Sequence, residues 1–213
     1  MLAFCCFAGR MRPSTEAHRF TILQGLDHAQ YVFVFVGSAD EPVNFRNPHT
    51  FPEVREMIRA SLTPAQADRV FIFSVPDHDS DLKWVTEVQR QTTAQIKRLS
   101  LGREPQVALI GHSKDESSYY LRLFPQWGSI NTENFGDNLS ATDIRAKLYE
   151  TTDPLGCVEA LKRGGSVPNG TYLFLREWVN TDDFETLRDE YRFMVDYLAK
   201  FEKNPFTGED QQF

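Results

Sequence analysis

The sequence predicts an α/β fold: a Rossmann-like open parallel sheet of about five strands, with helices on both faces and a helical segment at the C-terminal end. Three observations predict it. Short apolar runs alternate with amphipathic stretches along the first two thirds of the chain. The runs are continuously apolar, as strands buried on both faces should be. Each of the four main runs stops at a polar or glycine-containing pair: Gly9-Arg10, Gly37-Ser38, Pro76-Asp77 and Gly111-His112. These are the strand ends where an open parallel sheet places its ligands.

The elements follow in order. Leu2 to Ala8 is the first strand, and residues 16–27 read as the helix that follows it. Tyr31 to Val36 is the clearest strand. Thr50-Phe-Pro-Glu53 is a capping box with proline in the first turn, so a helix is expected from there to about Leu62. Arg69 to Val75 is the third strand. Residues 82–98 form a helix with Trp84, Val85, Val88 and Ile96 among its apolar positions. Gln106 to Ile110 is the fourth strand, 115–124 a short helix and 128–132 a short fifth strand. Ser140 to Asp143 reads as a second capping box, opening a helix to about Tyr149. Beyond Pro154 the pattern is helical, with a strongly amphipathic stretch at 183–201. One domain over residues 1–200, followed by a loose tail at 201–213, accounts for the whole chain, which contains no internal repeat. Right-handed crossovers put the ligand site near the switch between the first and fourth strands.

Composition narrows the function. A chain of 213 residues suits one domain, whose core buries roughly 70% of the unfolded surface without a staple. With 41% apolar and 25% charged residues it is globular, and 17 Phe foretell an aromatic core. The net charge of −7 argues against a general nucleic-acid binder, so any phosphate site must be local. Three cysteines give neither a disulfide framework nor metal spacing, and Cys5-Cys6 reads as small buried hydrophobes in a reducing compartment. The opening apolar run lacks the basic leader of a signal peptide, and no run approaches a membrane span. A cytoplasmic protein with no membrane partner is expected.

Two clusters are chemically suggestive. In the first, Gly9-Arg10-Met11-Arg12-Pro13-Ser14-Thr15-Glu16-Ala17-His18 joins the first strand to the first helix. Gly9 allows close backbone approach, a helix start offers N–H groups to an anion, and Thr15 and His18 share one face of the first turn. A polyphosphate is the natural guest; alone, the segment reads equally as a solvated loop with a capping threonine. The second, Ser140-Ala141-Thr142-Asp143-Ile144-Arg145, sets two hydroxyls and an arginine at another helix start. Alone, it reads rather as a plain cap with a surface arginine. His28, His49 and His78 are too scattered for a metal site. The run Asp77-His-Asp-Ser-Asp81 lacks the glycine and distal glutamate of a calcium loop.

Together the clusters resemble the paired signatures of the nucleotidyltransferase superfamily, (His/Thr)-x-x-His after the first strand and Ser-x-Thr-x-x-Arg near the last helix of the sheet domain. Gly37-Ser38-Ala39, Asn47-Pro48-His49-Thr50 with Glu53 and Arg55, Pro76-Asp77 with Trp84-Val85, Gly111-His112-Ser113-Lys114-Asp115 and Ser118 to Pro125 follow in family order. Over roughly residues 3–200 the chain resembles the nicotinamide mononucleotide (NMN) adenylyltransferase family. It is most similar to the archaeal-type enzymes and to the adenylyltransferase half of proteins carrying a fused Nudix hydrolase. It departs from the family's Gly-Arg-Phe-x-Pro-x-His-x-Gly-His at Met11, Thr15 and Ala17, where Phe, His and Gly are usual, and it keeps His18.

The resemblance implies transfer of AMP from ATP to NMN, giving NAD and pyrophosphate, with Mg²⁺ held mainly by the substrates' phosphates and no metal residue. It assigns His18, Thr15 and Arg10 to catalysis, and Gly9, Ser140, Thr142, Arg145, Gly111 and His112 to ATP and its phosphates. Trp84, stacking on the nicotinamide ring, and Asp81, Arg55 and Asn47 fall to NMN; Asp115 lies beside the nucleotides. A homo-oligomer is expected, with small-molecule substrates as the only other partners. The competing expectations are another small-molecule nucleotidyltransferase, of pantetheine-phosphate or glycerol-phosphate type, and a non-catalytic NAD- or ATP-binding regulator.

Overall fold

The computed structural model describes residues 2–99, 106–111, 122–132, 135 and 140–202, the side chains of the last two excepted. Five parallel strands, β1 (Leu2–Gly9), β2 (Ala29–Val36), β3 (Val70–Ser74), β4 (Val107–Gly111) and β5 (Gly128–Asn131), form one sheet in the order β3-β2-β1-β4-β5. The chain winds outward from β1 through β2 to β3, then returns to the other side of β1 for β4 and β5. The switch point therefore lies between β1 and β4, as expected.

Period-two geometry sorts the central strands into two chemistries. Val32, Val34 and Val36 face one side, with Cys5 and Phe7 of β1. Phe33 and Phe35 face the other, with Phe4 and Cys6. Helix α1 (Glu16–His28) covers the valine side with Ile22 and Leu26, and α2 (Phe51–Arg59) adds Val54 and Ile58. Helix α4 (Asp81–Leu99) covers the phenylalanine side through Val85, Val88 and Ile96. There Phe33 meets the rings of Phe4, Phe71 and Phe73 in tilted and edge-on contacts at 4.9–5.8 Å between centroids, favoured by the ring quadrupole.

The expected long helix from Thr50 ends at Arg59. A separate short helix, α3 (Pro64–Ala67), follows under its own Thr63–Gln66 box. Pro64 excludes Thr63 from the helical region, and Thr63 sits extended at ψ 159°, so one helix cannot run through both. The short helix expected at 115–124 lies mostly outside the described residues. Helix α5 (Ala141–Glu150) starts at Ser140 as expected, but with a simple cap in place of the reciprocal box: Ser140 Oγ accepts from the Thr142 N–H at 3.1 Å.

The C-terminal helices α6 (Pro154–Arg163), α7 (Asn169–Trp178) and α8 (Asp182–Glu202) join α5 around their own core of Leu148, Tyr149, Leu175, Trp178 and Phe184. This layer reaches the sheet domain through α7, which rests on α2.

Candidate active site

The carboxyl ends of β1 and β2 carry the two described non-glycine residues with positive φ, Met11 at 55° and Ser38 at 52°. Such backbone is costly for a residue with a Cβ and persists only where neighbours enforce it. Arg12 is the enforcer here. Its guanidinium is 2% exposed and donates to the carbonyls of His49 (2.7 Å), Gly37 (2.6 Å), Ser38 (3.3 Å) and Arg10 (3.3 Å). No carboxylate is among these bonds. Burial, then the like charge of Arg10, pulls its pKa below the usual arginine value against the pull of Asp77. Carbonyl dipoles thus hold a buried positive charge beneath the loop after β1, and pin that loop to the loop after β2.

The loop after β2 is also held from β3. Asp77 Oδ1 accepts from the Ser38 N–H at 3.2 Å and the Ser38 hydroxyl at 3.1 Å, while the Asp77 N–H donates to Asp40 Oδ1 at 3.0 Å. Asn47 is 8% exposed; its Nδ2 reaches the Ser38 carbonyl at 3.5 Å, and its Oδ1 is buried without a hydrogen-bond partner.

Arg145 brings the second cluster to the first. Its Nη1 donates to the Arg12 carbonyl and its Nη2 to Thr142 Oγ1 at 3.1 Å. Burial lowers its pKa, Tyr149 opposes, and Arg10 lowers it further. Arg10, Arg12 and Arg145 therefore share one neighbourhood at the carboxyl end of β1, inside a chain of net charge −7.

The start of α1 differs from the expectation of a helix end open to phosphate. The Thr15 N–H donates to His18 Nδ1 (3.0 Å), the Glu16 N–H to the Ser166 carbonyl (3.1 Å), and the His18 N–H to Thr15 Oγ1 (3.3 Å). The cap's own N–H and two of the first turn's donors are thus spent inside the protein. Thr15 is 0% exposed, so its hydroxyl caps the helix rather than facing a substrate. Arg10 is exposed and Gly9 and His18 are half-buried, so these keep accessible surface.

The other expected residues are placed as follows. Ser140 caps α5, with Thr142 one turn before Arg145. Gly111 ends β4, its carbonyl accepting from the Thr132 N–H at 3.0 Å; His112 and Asp115 lie outside the described residues. Trp84, in the first turn of α4, meets Phe124 edge-on at 5.7 Å, and Phe124 stacks on Trp127 at 4.5 Å. Trp84 is half-buried, so one part belongs to the aromatic core and another remains accessible. Asp81 is exposed at the start of α4. Arg55 is exposed on α2 and lies 5.8 Å over the Phe51 ring. The structure thus joins Arg10, Thr15, His18, Thr142 and Arg145 around one loop, sets Asn47 beside it, and leaves Arg55 on an outer face. Sequence reasoning missed Arg12 as an anchor, Asp77 as the clamp on Ser38, and Ser166. The carboxylate just past the third strand was the available signal for Asp77.

A parallel sheet whose first strand ends in converging guanidiniums and a helix-capping histidine has the fold and site of a nucleotidyltransferase of Rossmann-like type. No protein-family model matches the chain. The nicotinamide/nicotinic acid mononucleotide adenylyltransferase of Acinetobacter baylyi is 33% identical over 189 residues, 89% of this chain and 93% of that protein. The chain belongs to that family. The nicotinamide-nucleotide adenylyltransferase of Ignicoccus hospitalis is 27% identical over 169 residues, 76% of this chain and 92% of that one. Among solved structures, a bifunctional NMN adenylyltransferase/ADP-ribose pyrophosphatase of Francisella tularensis, complexed with AMP and a manganese ion, superposes with a TM-score of 0.78 at 27% identity over 98% of this chain. The chain spans 58% of that protein's length. Among the described residues no helix is long and apolar enough to cross a membrane.

Proposed function

We propose that the protein transfers the adenylyl group of ATP to NMN, giving NAD and pyrophosphate. The observation that carries this reading is the convergence of Arg10, Arg145 and His18 on the loop after β1, over the buried charge of Arg12. An oxygen of the NMN phosphate attacks the α-phosphorus of ATP; the new P–O bond forms as the bond to pyrophosphate breaks, and no covalent enzyme intermediate is needed. The protein's work is then positioning and charge stabilisation.

His18 meets the α-phosphate as charge gathers on its oxygens. Arg10 orients the phosphate chain, and Gly9 lets it approach the backbone. Ser140, Thr142 and Arg145 hold the β- and γ-phosphates, with Gly111 and His112 beside the nucleotide. Trp84 offers its accessible face to the nicotinamide ring, and Asn47 and Asp81 offer polar groups to NMN. Arg55, on its outer face, has the weakest support of the set.

A magnesium ion belongs to this reading. Among the described residues no group of three or more His, Cys, Asp or Glu could hold a metal, and the site's own charge is positive. The ion would ride mainly on the substrates' phosphates and neutralise charge on the leaving pyrophosphate. A cytoplasmic location fits the buried, unpaired thiols of Cys5 and Cys6. An assembly of identical chains fits the apolar side chains of Phe193, Tyr197 and Leu198 that α8 leaves exposed.

The test is turnover. Incubated with ATP, NMN and Mg²⁺, the protein should produce NAD and pyrophosphate in equal amounts. Binding of both nucleotides without either product would make it a regulator instead.

A further inference from the structure

The cap at the start of α1 has an unusual third member. A capping box ordinarily puts Glu or Gln three residues after the cap, and its side-chain oxygen takes the cap's N–H. The boxes at Thr50–Glu53 and Thr63–Gln66 have that form. At Thr15 the acceptor is an imidazole nitrogen, His18 Nδ1, at 3.0 Å from the Thr15 N–H. The return bond runs from the His18 N–H to Thr15 Oγ1 at 3.3 Å, and Oγ1 lies 3.1 Å from Nδ1.

We propose that Thr15 is a positioning residue that fixes the tautomer and ring plane of His18, so that the catalytic ring works as an oriented neutral donor through Nε2. The argument is one of donors and acceptors. A backbone N–H only donates, and the Thr15 hydroxyl, whose oxygen already accepts from the His18 N–H, has its own proton to give to Nδ1 at 3.1 Å, so the Nδ1 facing both must present a lone pair. A neutral ring accepting there carries its proton on Nε2, and any donation by the ring runs through that atom. Protonating Nδ1 would set two N–H groups against each other and break one arm of the box. Thr15 is 0% exposed, so its hydroxyl reaches a substrate only through this ring. The cap is itself held from the helical layer: the Ser166 carbonyl accepts from the Glu16 N–H at 3.1 Å, and Thr171 Oγ1 donates to the Ser14 carbonyl at 2.8 Å. Phe7 packs against the ring at 6.2 Å between centroids. The site thus uses a helix cap to set the protonation geometry of its histidine. The link to catalysis rests on the proposed adenylyl transfer; the tautomer does not.

Two measurements test this. In protein labelled with ¹⁵N-histidine, the His18 resonances are assigned by their loss in His18→Ala. They should report a single neutral tautomer protonated at Nε2, without the mixture a free imidazole shows. Thr15→Val keeps the shape and removes the hydroxyl. It should shift the ring toward that mixture and lower kcat about tenfold, the rate equivalent of one neutral hydrogen bond, with the KM values for ATP and NMN nearly unchanged. Thr15→Ser should restore both the tautomer and most of the rate. A His18 ring protonated at Nδ1, or a Thr15→Val enzyme that keeps the wild-type tautomer and kcat, overturns the proposal. So does a Thr15→Ser enzyme as slow as Thr15→Val, which would mean the methyl packing matters and the hydroxyl does not. A protein that shows the Nε2 tautomer but makes no NAD overturns the adenylyl-transfer reading and leaves the cap assignment standing.

Discussion

His18, half-buried at the start of α1, offers the site a neutral donor, while Arg12 holds a buried charge beneath the loop. His18→Ala removes a contact that matters most when the α-phosphorus is crowded by both oxygens. It should lower kcat by roughly a hundred- to a thousandfold with modest changes in either KM, as loss of one charge-stabilising donor typically does. Steady-state kinetics check this, with circular dichroism confirming the fold; a rate near wild type would remove His18 from the chemistry. Trp84→Ala tests the other substrate. If the accessible part of the indole stacks on the nicotinamide ring, the KM for NMN should rise several-fold more than that for ATP, the stack being worth on the order of 1 kcal/mol. Equal effects on both would leave Trp84 as core alone. His49 supplies a stability test at the same scale. Its ring is 1% exposed, lies edge-on to Trp178 (4.5 Å) and Phe174 (5.2 Å), and has no hydrogen-bond partner on either nitrogen. Burial, with Arg12 and Arg145 adding repulsion, pushes its pKa down to about 3 from 6.5. The unfolded chain therefore takes a proton there that the folded chain refuses. Stability is lost as pH falls below about 6.5, with a slope of up to about 1.4 kcal/mol per pH unit from this group. His49→Phe should stabilise the protein by about 1–3 kcal/mol at neutral pH, by removing two buried unsatisfied nitrogens, and should flatten that acid limb. Denaturant titrations at pH 7 and pH 5 read both effects.

At the scale of elements, α5 carries Arg145 to the loop after β1, where the proposed reading puts the β- and γ-phosphates. Arg145→Lys keeps the charge but loses the planar fork that reaches the Arg12 carbonyl and Thr142 at once. The KM for ATP should rise and kcat should fall measurably, while NMN binding changes little. Unchanged ATP kinetics would return Ser140 and Thr142 to a plain helix cap. The strands were legible because burial on both faces leaves continuous apolar runs, and their ends were legible because glycine and proline mark them. Element boundaries moved where no such mark exists. Strand β2 begins at Ala29, which is also the C-cap of α1, so helix passes into strand with no turn residue between them. The cluster between β1 and α1 was legible as residue types at fixed spacing. Its architecture was not, because Arg12 finds its carbonyl partners in Gly37, Ser38 and His49, 25–37 residues away, and a bond to a carbonyl leaves no trace in the partner's identity. The bond from the Glu16 N–H to the Ser166 carbonyl was hidden for the same reason, while the Thr15–His18 box departs from the usual Glu or Gln form of that motif.

On the whole-molecule scale, the loop after β1 is clamped between two separately built layers, and at Gly170 α7 lies close against α2. The sheet domain holds the loop through Arg12. The helical layer holds it through Arg145 on the Arg12 carbonyl, Thr171 on the Ser14 carbonyl and Ser166 on the Glu16 N–H. That second grip depends on how α7 rests on α2. The Gly170 N–H donates to Ser61 Oγ at 3.1 Å, and Arg19 Nε reaches the Ser61 carbonyl at 2.9 Å. A Cβ at Gly170 would stand 2.5 Å from the Met57 carbonyl oxygen, 2.7 Å from Ser61 Oγ and 2.8 Å from the Ala60 carbonyl carbon. Two of these atoms are backbone, so α7 itself must move. Overpacking of this kind costs about 1–3 kcal/mol, which for a chain of this size lowers Tm by roughly 2–12 °C. The move also displaces Thr171, the next residue, and with it the carbonyl of Ser14 that precedes the cap on His18. Gly170→Ala should therefore lower kcat as well as Tm, although it touches no substrate. Asp189→Ala, on the exposed side of α8, is the control and should change neither. Thermal unfolding and steady-state kinetics on the two variants decide the matter. A Gly170→Ala enzyme that is less stable yet retains wild-type kcat would show that the helical layer supports the fold without setting the geometry of the site.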